Sequence, residues 1–157
     1  MASGWIDLAV EAVAAELEAE LPAALRAIET ANSLTTNSLT DPVAVMRSRV
    51  PFDQRSPLVC VYDESSTPDS AAHQRNRIDV CDLTVFFFYG GTVDTNANEK
   101  FRRRYMQAIR NVLRANPTLD QQVISVEIGT TDSDGIEGPD SRIAQLSTMA
   151  LSVRTHP

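Results

Sequence analysis

The chain has 157 residues and a mass of 17.2 kDa, one domain's worth of sequence, long enough to bury roughly 68–70% of its unfolded surface without disulfide or metal staples. Hydrophobic residues at 43% and charged residues at 22% exclude a disordered, collagen-like or coiled-coil chain, and unbroken apolar runs no longer than that from Val85 to Tyr89 are far short of the ~20 residues that span a bilayer. Its 21 acids against 14 bases give a formal charge of −7, which argues against non-specific nucleic-acid binding and against binding to anionic membranes.

Residues 3 to 31 place Ile6, Val10, Val13, Leu17, Leu21, Leu25 and Ile28 at spacings of three and four. That is the stripe of an amphipathic helix, with Ser3 as its N-cap. The opening MASGWIDLAVEAV carries acids where a signal peptide needs a basic head, so export is not expected. Pro22 lacks the N–H the preceding turn would use, which predicts a kink or two helices meeting near Leu21. The run ANSLTTNSLTDP reads as a loop, because Ser, Thr and Asn side chains compete with backbone ladders.

From Pro57 the pattern turns to β. Leu58 to Tyr62 form a short apolar strand closed by DESSTPDSAAHQRNR, a long polar excursion. In the next strand, Ile78 to Tyr89, Ile78 and Val80 share one parity, Leu83, Val85, Phe87 and Tyr89 the other, and Phe86 and Phe88 return to the first. The phase slip predicts a bulge near Asp82, and the two apolar faces predict a central strand covered on both sides. Gly90-Gly91 ends it.

A second helix follows, capped by Asp94 or Thr95, with Glu99 near its start and Arg110 and Arg114 near its end, where the helix dipole favours them. Phe101, Tyr105, Ala108, Ile109, Val112 and Leu113 form its apolar face, and Asn116-Pro117 stops it. Alternation at Ile124, Val126 and Ile128, and again at Met149, Leu151 and Val153, predicts two further strands joined by the loop TTDSDGIEGPD. The expected fold is α+β: a single domain over 1–157 in the order α-β-β-α-β-β, its sheet mainly antiparallel and flanked by helices. With only two helices to cover a doubly apolar strand, a neighbouring subunit is the economical cover.

Chemistry-bearing residues are few, and no catalytic, cofactor-binding or metal-binding set is expected. His73 and His156 fall in segments with no fixed partner in view, whereas a catalytic His needs one. Cys60 and Cys81 alternate within apolar strands, as buried and reduced thiols do. The acids Asp132, Asp134, Glu137 and Asp140 do not follow a calcium-loop spacing, since Gly135 comes at the fourth position and not the sixth; they read as a solvated turn. Arg102, Arg103 and Arg104 fan over ~200° of a helix, so they cannot all face one partner. The plain reading is a solvated face with Arg102 or Arg103 paired to an acid, and the functional one is a protein interface.

Taken together, a helix ending in LPAAL, the strand SPLVCVYDES, a polar excursion, the strand RIDVCDLTVFFFYGG, the helix NEKFRRRYMQAIRNVLRANPTL and a hairpin ending STMALSVRTH resemble the tail terminator (tail completion) proteins of tailed bacteriophages. The resemblance spans nearly the whole chain and rests on element order, size and pattern. It implies a structural virion protein of the tail or neck, not an enzyme, assembled in the host cytoplasm into a homo-hexameric ring. Such a ring caps the tail tube, ends its polymerisation and docks to the head–tail connector or neck, with genomic DNA passing through the lumen without specific binding. By element order the excursion supplies Asp63, Glu64, Asp69, His73, Arg75 and Arg77 as interface residues, joined by Arg102, Arg103 and Arg104. Asp132, Asp134, Glu137 and Asp140 become lumen or loop acids. The alternatives are another neck or minor tail component and, further off, a small enzyme or ligand-binding domain.

Overall fold

The computed structural model describes residues 4–49, 55–68, 79–137 and 143–155. Two helices and five strands make an α+β fold in the order α1 (Gly4–Ala31), β1 (Ala44–Met46), β2 (Leu58–Pro68), β3 (Asp79–Tyr89), α2 (Thr95–Ala115), β4 (Ser125–Glu137) and β5 (Ile143–Thr155). The strands form one sheet ordered β1-β2-β3-β5-β4. β1 runs parallel to β2, and every other pairing is antiparallel.

α1 buries Val10, Val13, Leu17, Leu21 and Leu25 as the stripe predicts, with Ile6 and Ile28 partly buried beside them; Ser3 lies outside the described residues. The division expected at Pro22 does not occur, because a single helix runs through it. Leu21 and Leu25 on either side are wholly buried, and their packing outweighs the one backbone bond that proline removes. The loop after α1 is held by Glu29, a buried carboxylate that pairs with Arg26 at 3.0 Å and accepts the backbone N–H groups of Asn37 and Leu39 at 3.1 and 2.7 Å.

Five strand expectations need correction. β1 was not anticipated, since three residues are too few to show an alternation, and it makes the order α-β-β-β-α-β-β. The bulge does fall at Asp82 but in the partner strand β2: Asp63 faces Leu83 and Ser65 faces Asp82, so Glu64 is the extra residue. β3 keeps one phase throughout, with Cys81 joining Leu83, Val85, Phe87 and Tyr89 on the helix side. The polar DESSTP extends β2 to Pro68, so the excursion predicted from Asp63 is strand for its first six residues. Likewise β4 reaches Glu137, and Thr131 to Glu137 pair with β5 where a loop was expected.

β3 is central, as its two apolar parities require, but both helices lie on one side of the sheet. α1 and α2 pack with Val59, Val61, Leu83, Val85, Phe87, Met149, Leu151 and Val153. A second, smaller cluster of Leu58, Cys60 and Phe88, with Met46, Tyr62, Phe86 and Leu146 partly buried around it, contains no helix residue. α2 is placed by its caps. Asp94 accepts the backbone N–H of Ala97 at 3.1 Å, and Asn116 ends the helix before Pro117. Gly91 before it has φ +74°, and a Cβ there would collide with the buried Asn98 amide, which itself bonds the backbone of Thr92.

Candidate functional site: the open face of the sheet

The face turned away from the helices is graded across its width. In register, one row runs Cys60, Phe86, Thr148, Asp132, and the next runs Leu58, Phe88, Leu146, Asp134. A third begins at Asp82 and passes through Ser152 to Glu127. In the first two rows the β2–β3 end is therefore apolar and the β4 margin acidic, while the third carries acids on both β3 and β4. The β4 acids stand on an edge strand, where charge also discourages unwanted strand pairing.

Two depressions interrupt this face. One, of about 260 Å³, has Phe86 and Leu146 in its floor and Asp132 and Asp134, both exposed, on its rim. The other, of about 390 Å³, is lined by Glu64, Asp82 and Glu127 around Gly129, Ala150 and Ser152. Both bulges border it: Glu64 in β2, and the shift between Ile128 and Thr131 in β4. Glu64 accepts a long hydrogen bond from Thr84 at 3.4 Å and pairs with Arg49 at 3.8 Å. Arg49 also lies 4.7 Å from the ring centre of Tyr62. Burial, with the Glu64 charge beside it, pushes the Tyr62 phenol up, and burial alone raises the Cys60 thiol to about 11.

The arginine cluster divides between the two layers. Arg102 turns inward over the helix-side face of the sheet, donating to Gln145 at 3.1 Å, Ser133 at 2.6 Å and Ser147 at 3.4 Å. Its partners are neutral, and among the described residues it is Arg103 that meets the expected acid, Glu99 at 4.0 Å. Arg104 is half-buried and makes no ion pair among the described residues.

Of the residues singled out from the sequence, the structure brings Glu64, Asp132 and Asp134 onto one face. Asp63 is exposed opposite Leu83. Glu137 ends β4 opposite Ile143, while Asp69, His73, Arg75, Arg77 and Asp140 lie outside the described residues. Sequence reasoning passed over Asp82 and Glu127, each a single acid between apolar neighbours. Their signal was that alternation, which marks them as facing away from the helix-side core. Among the described residues no group of three or more His, Cys, Asp or Glu side chains is arranged to hold a metal ion, and no helix is long and apolar enough to cross a membrane.

No family model and no curated protein matches the sequence. Among solved structures, a chain of the virion of a native gene transfer agent (GTA) particle is similar at 10% identity with a TM-score of 0.47, over 87% of this chain and 94% of that one.

What the open face offers is a surface. Carboxylates on a solvated sheet margin repel phosphate, and the half-buried Phe86, Leu146, Tyr62 and Met46 present apolar area to whatever is packed beside them.

Proposed function

We propose that this chain is a ring-forming structural virion subunit of the tail terminator kind, capping the tail tube, ending its growth and presenting the surface that meets the neck. The observation that carries the reading is the one-sided architecture: helices cover one face of the sheet, and the other combines apolar area with the acids Glu64, Asp82, Glu127, Asp132 and Asp134. The element order shared with the tail terminator pattern in the sequence supports it.

In such a ring the sheets turn inward and the acidic margin of each β4 faces the bore. Six copies at −7 each carry a formal −42. DNA passes a wall of that sign without the counterion release that fixes phosphate to basic proteins. Contacts with the tube and the neck fall to the ring's two rims, where Asp63 and the segment carrying Asp69, His73, Arg75 and Arg77 stand as docking residues.

Light scattering and negative-stain microscopy of the purified chain, alone and mixed with tail tubes, test this. A particle near six times 17.2 kDa, or conversion to it on tube ends, is expected. A monomer under both conditions overturns the reading, and a monomer that assembles only on a portal ring favours another neck component instead.

A further inference from the structure

The helix layer carries its charge in two separate blocks. α2 holds Lys100, Arg102, Arg103, Arg104, Arg110 and Arg114, six of the chain's 14 bases, against the single acid Glu99. Arg102 and Arg110 are spent inward, on Ser133 and Thr131 of β4. Lys100, Arg103 and Arg114 are exposed, and neither Lys100, Arg104 nor Arg114 meets a carboxylate among the described residues.

The other block is a groove of about 620 Å³ where the second half of α2 crosses α1. Its floor is small, with Ala23, Ala24 and Ala115, and its rim is acidic, with Glu16, Glu20 and Asp120. No described cation pairs with those three acids. Glu16 and Asp120 accept only the Asn116 side-chain amide, at 3.2 and 3.0 Å. An alanine floor leaves room for long side chains lying flat, and an unneutralised rim favours side chains that end in a cation.

We propose that a second copy of this chain fills the groove, laying the Lys100, Arg103 and Arg104 stretch of its α2 against Glu16, Glu20 and Asp120. The aliphatic stems of the bases cover the alanines while their heads reach the rim. The basic stretch and the groove are different patches of each copy, so the contact is head-to-tail, the kind that closes into a ring when the rotation permits. It joins helix layer to helix layer and leaves the open sheet face free. The inference rests on the ring reading above and names the contact that reading needs.

The test is charge reversal and charge swap in the full chain, read by sedimentation at low salt, with circular dichroism as the check on folding. Arg103→Glu with Arg104→Glu, and separately Glu16→Arg with Glu20→Arg, are expected to weaken self-association at least about tenfold, as removal of close interfacial charge pairs does. All four substitutions in one chain restore it, because complementarity returns with its sign exchanged. Raising salt weakens the wild-type assembly in the same direction, a measurement that needs no variant. Reversals that assemble like wild type, or a swap that fails to restore, overturn the contact. A six-membered ring indifferent to the reversals overturns the contact and keeps the ring; a two-membered species that they dissolve and the swap restores keeps the contact and overturns the ring. A wild-type chain that stays monomeric both alone and with tail tubes overturns both.

Discussion

The two faces of the sheet come from the same strands and alternate residues, yet they are finished differently. On the helix side Phe87 stacks on Tyr105 with ring centroids 4.5 Å apart, Phe101 stacks on Tyr89 at 3.9 Å, and Phe87, Tyr105, Val85, Met149 and Leu113 are wholly or almost wholly buried. One residue along, Phe86 is half-buried, and its row ends at an exposed aspartate. The first face is closed within the chain, by helices whose apolar stripes match it. Among the described residues the second is closed over Leu58, Cys60, Phe88 and Thr84, and much of the rest is left to solvent or to a neighbour. On the ring reading proposed above this is a division of labour: one face supplies folding stability, and the other is free to vary with assembly.

The largest expected difference between the faces is in core truncation. Phe87→Ala should lower stability by about 3–5 kcal/mol, the usual loss for a buried ring that leaves a cavity. Phe86→Ala, whose ring is already partly in water, should cost less than half of that. Urea unfolding of the isolated chain measures both. Equal losses would mean that the open face is packed as tightly as the closed one, and the contrast would fail.

A second difference is read by pH. Burial raises the Cys60 thiol from 9.0 to about 11. Below pH 9 folded and unfolded chains both hold the proton, and this group adds no slope. Above it the unfolded chain ionises first, so stability falls with rising pH and the loss levels off near 11. The tyrosines raised by burial add to that decline, so the comparison is between wild type and Cys60→Ala. The wild type should lose more between pH 9 and 11. Parallel curves would show that the thiol is solvated, and with it this part of the open face.

The smallest effect is expected at the acidic margin. Asp132→Asn and Asp134→Asn sit at exposed positions and should change the stability of the isolated chain by no more than about 0.5 kcal/mol. Thermal melts check this. A loss above 1 kcal/mol would make these carboxylates part of the fold rather than a surface kept for assembly.

Much of this arrangement was legible before any coordinates. The stripe of α1, the Asp94 cap and the apolar face of α2, and the alternation at Val126 and Ile128 all follow from short-range spacing. The acids of the open face were only half legible. Asp132 and Asp134 stood out as a cluster but read as a turn, and Asp82 and Glu127 were hidden as single polar residues in apolar strands. Arg102 stood out as one of three arginines. Its partners did not, because Gln145 and Ser147 lie 43 and 45 residues away along the chain.

By itself the sequence determined which apolar segments are helical or extended and which side of each is apolar, since periodicity, caps and breakers act over a few residues. Tertiary structure alone decided the rest. The polar DESSTP and TTDSDGIE became strand because β3 and β5 supply partners for their backbone groups, and a chain pairs with a neighbour's N–H and C=O whatever its own side chains are. The bulge fell opposite Asp82 but in the partner strand, at Glu64, because Cys81 on the helix side is apolar and small enough to stay in phase with Leu83. And it was the docking of both helices on one side that left the other open: an apolar parity says that a face must be covered, never by what.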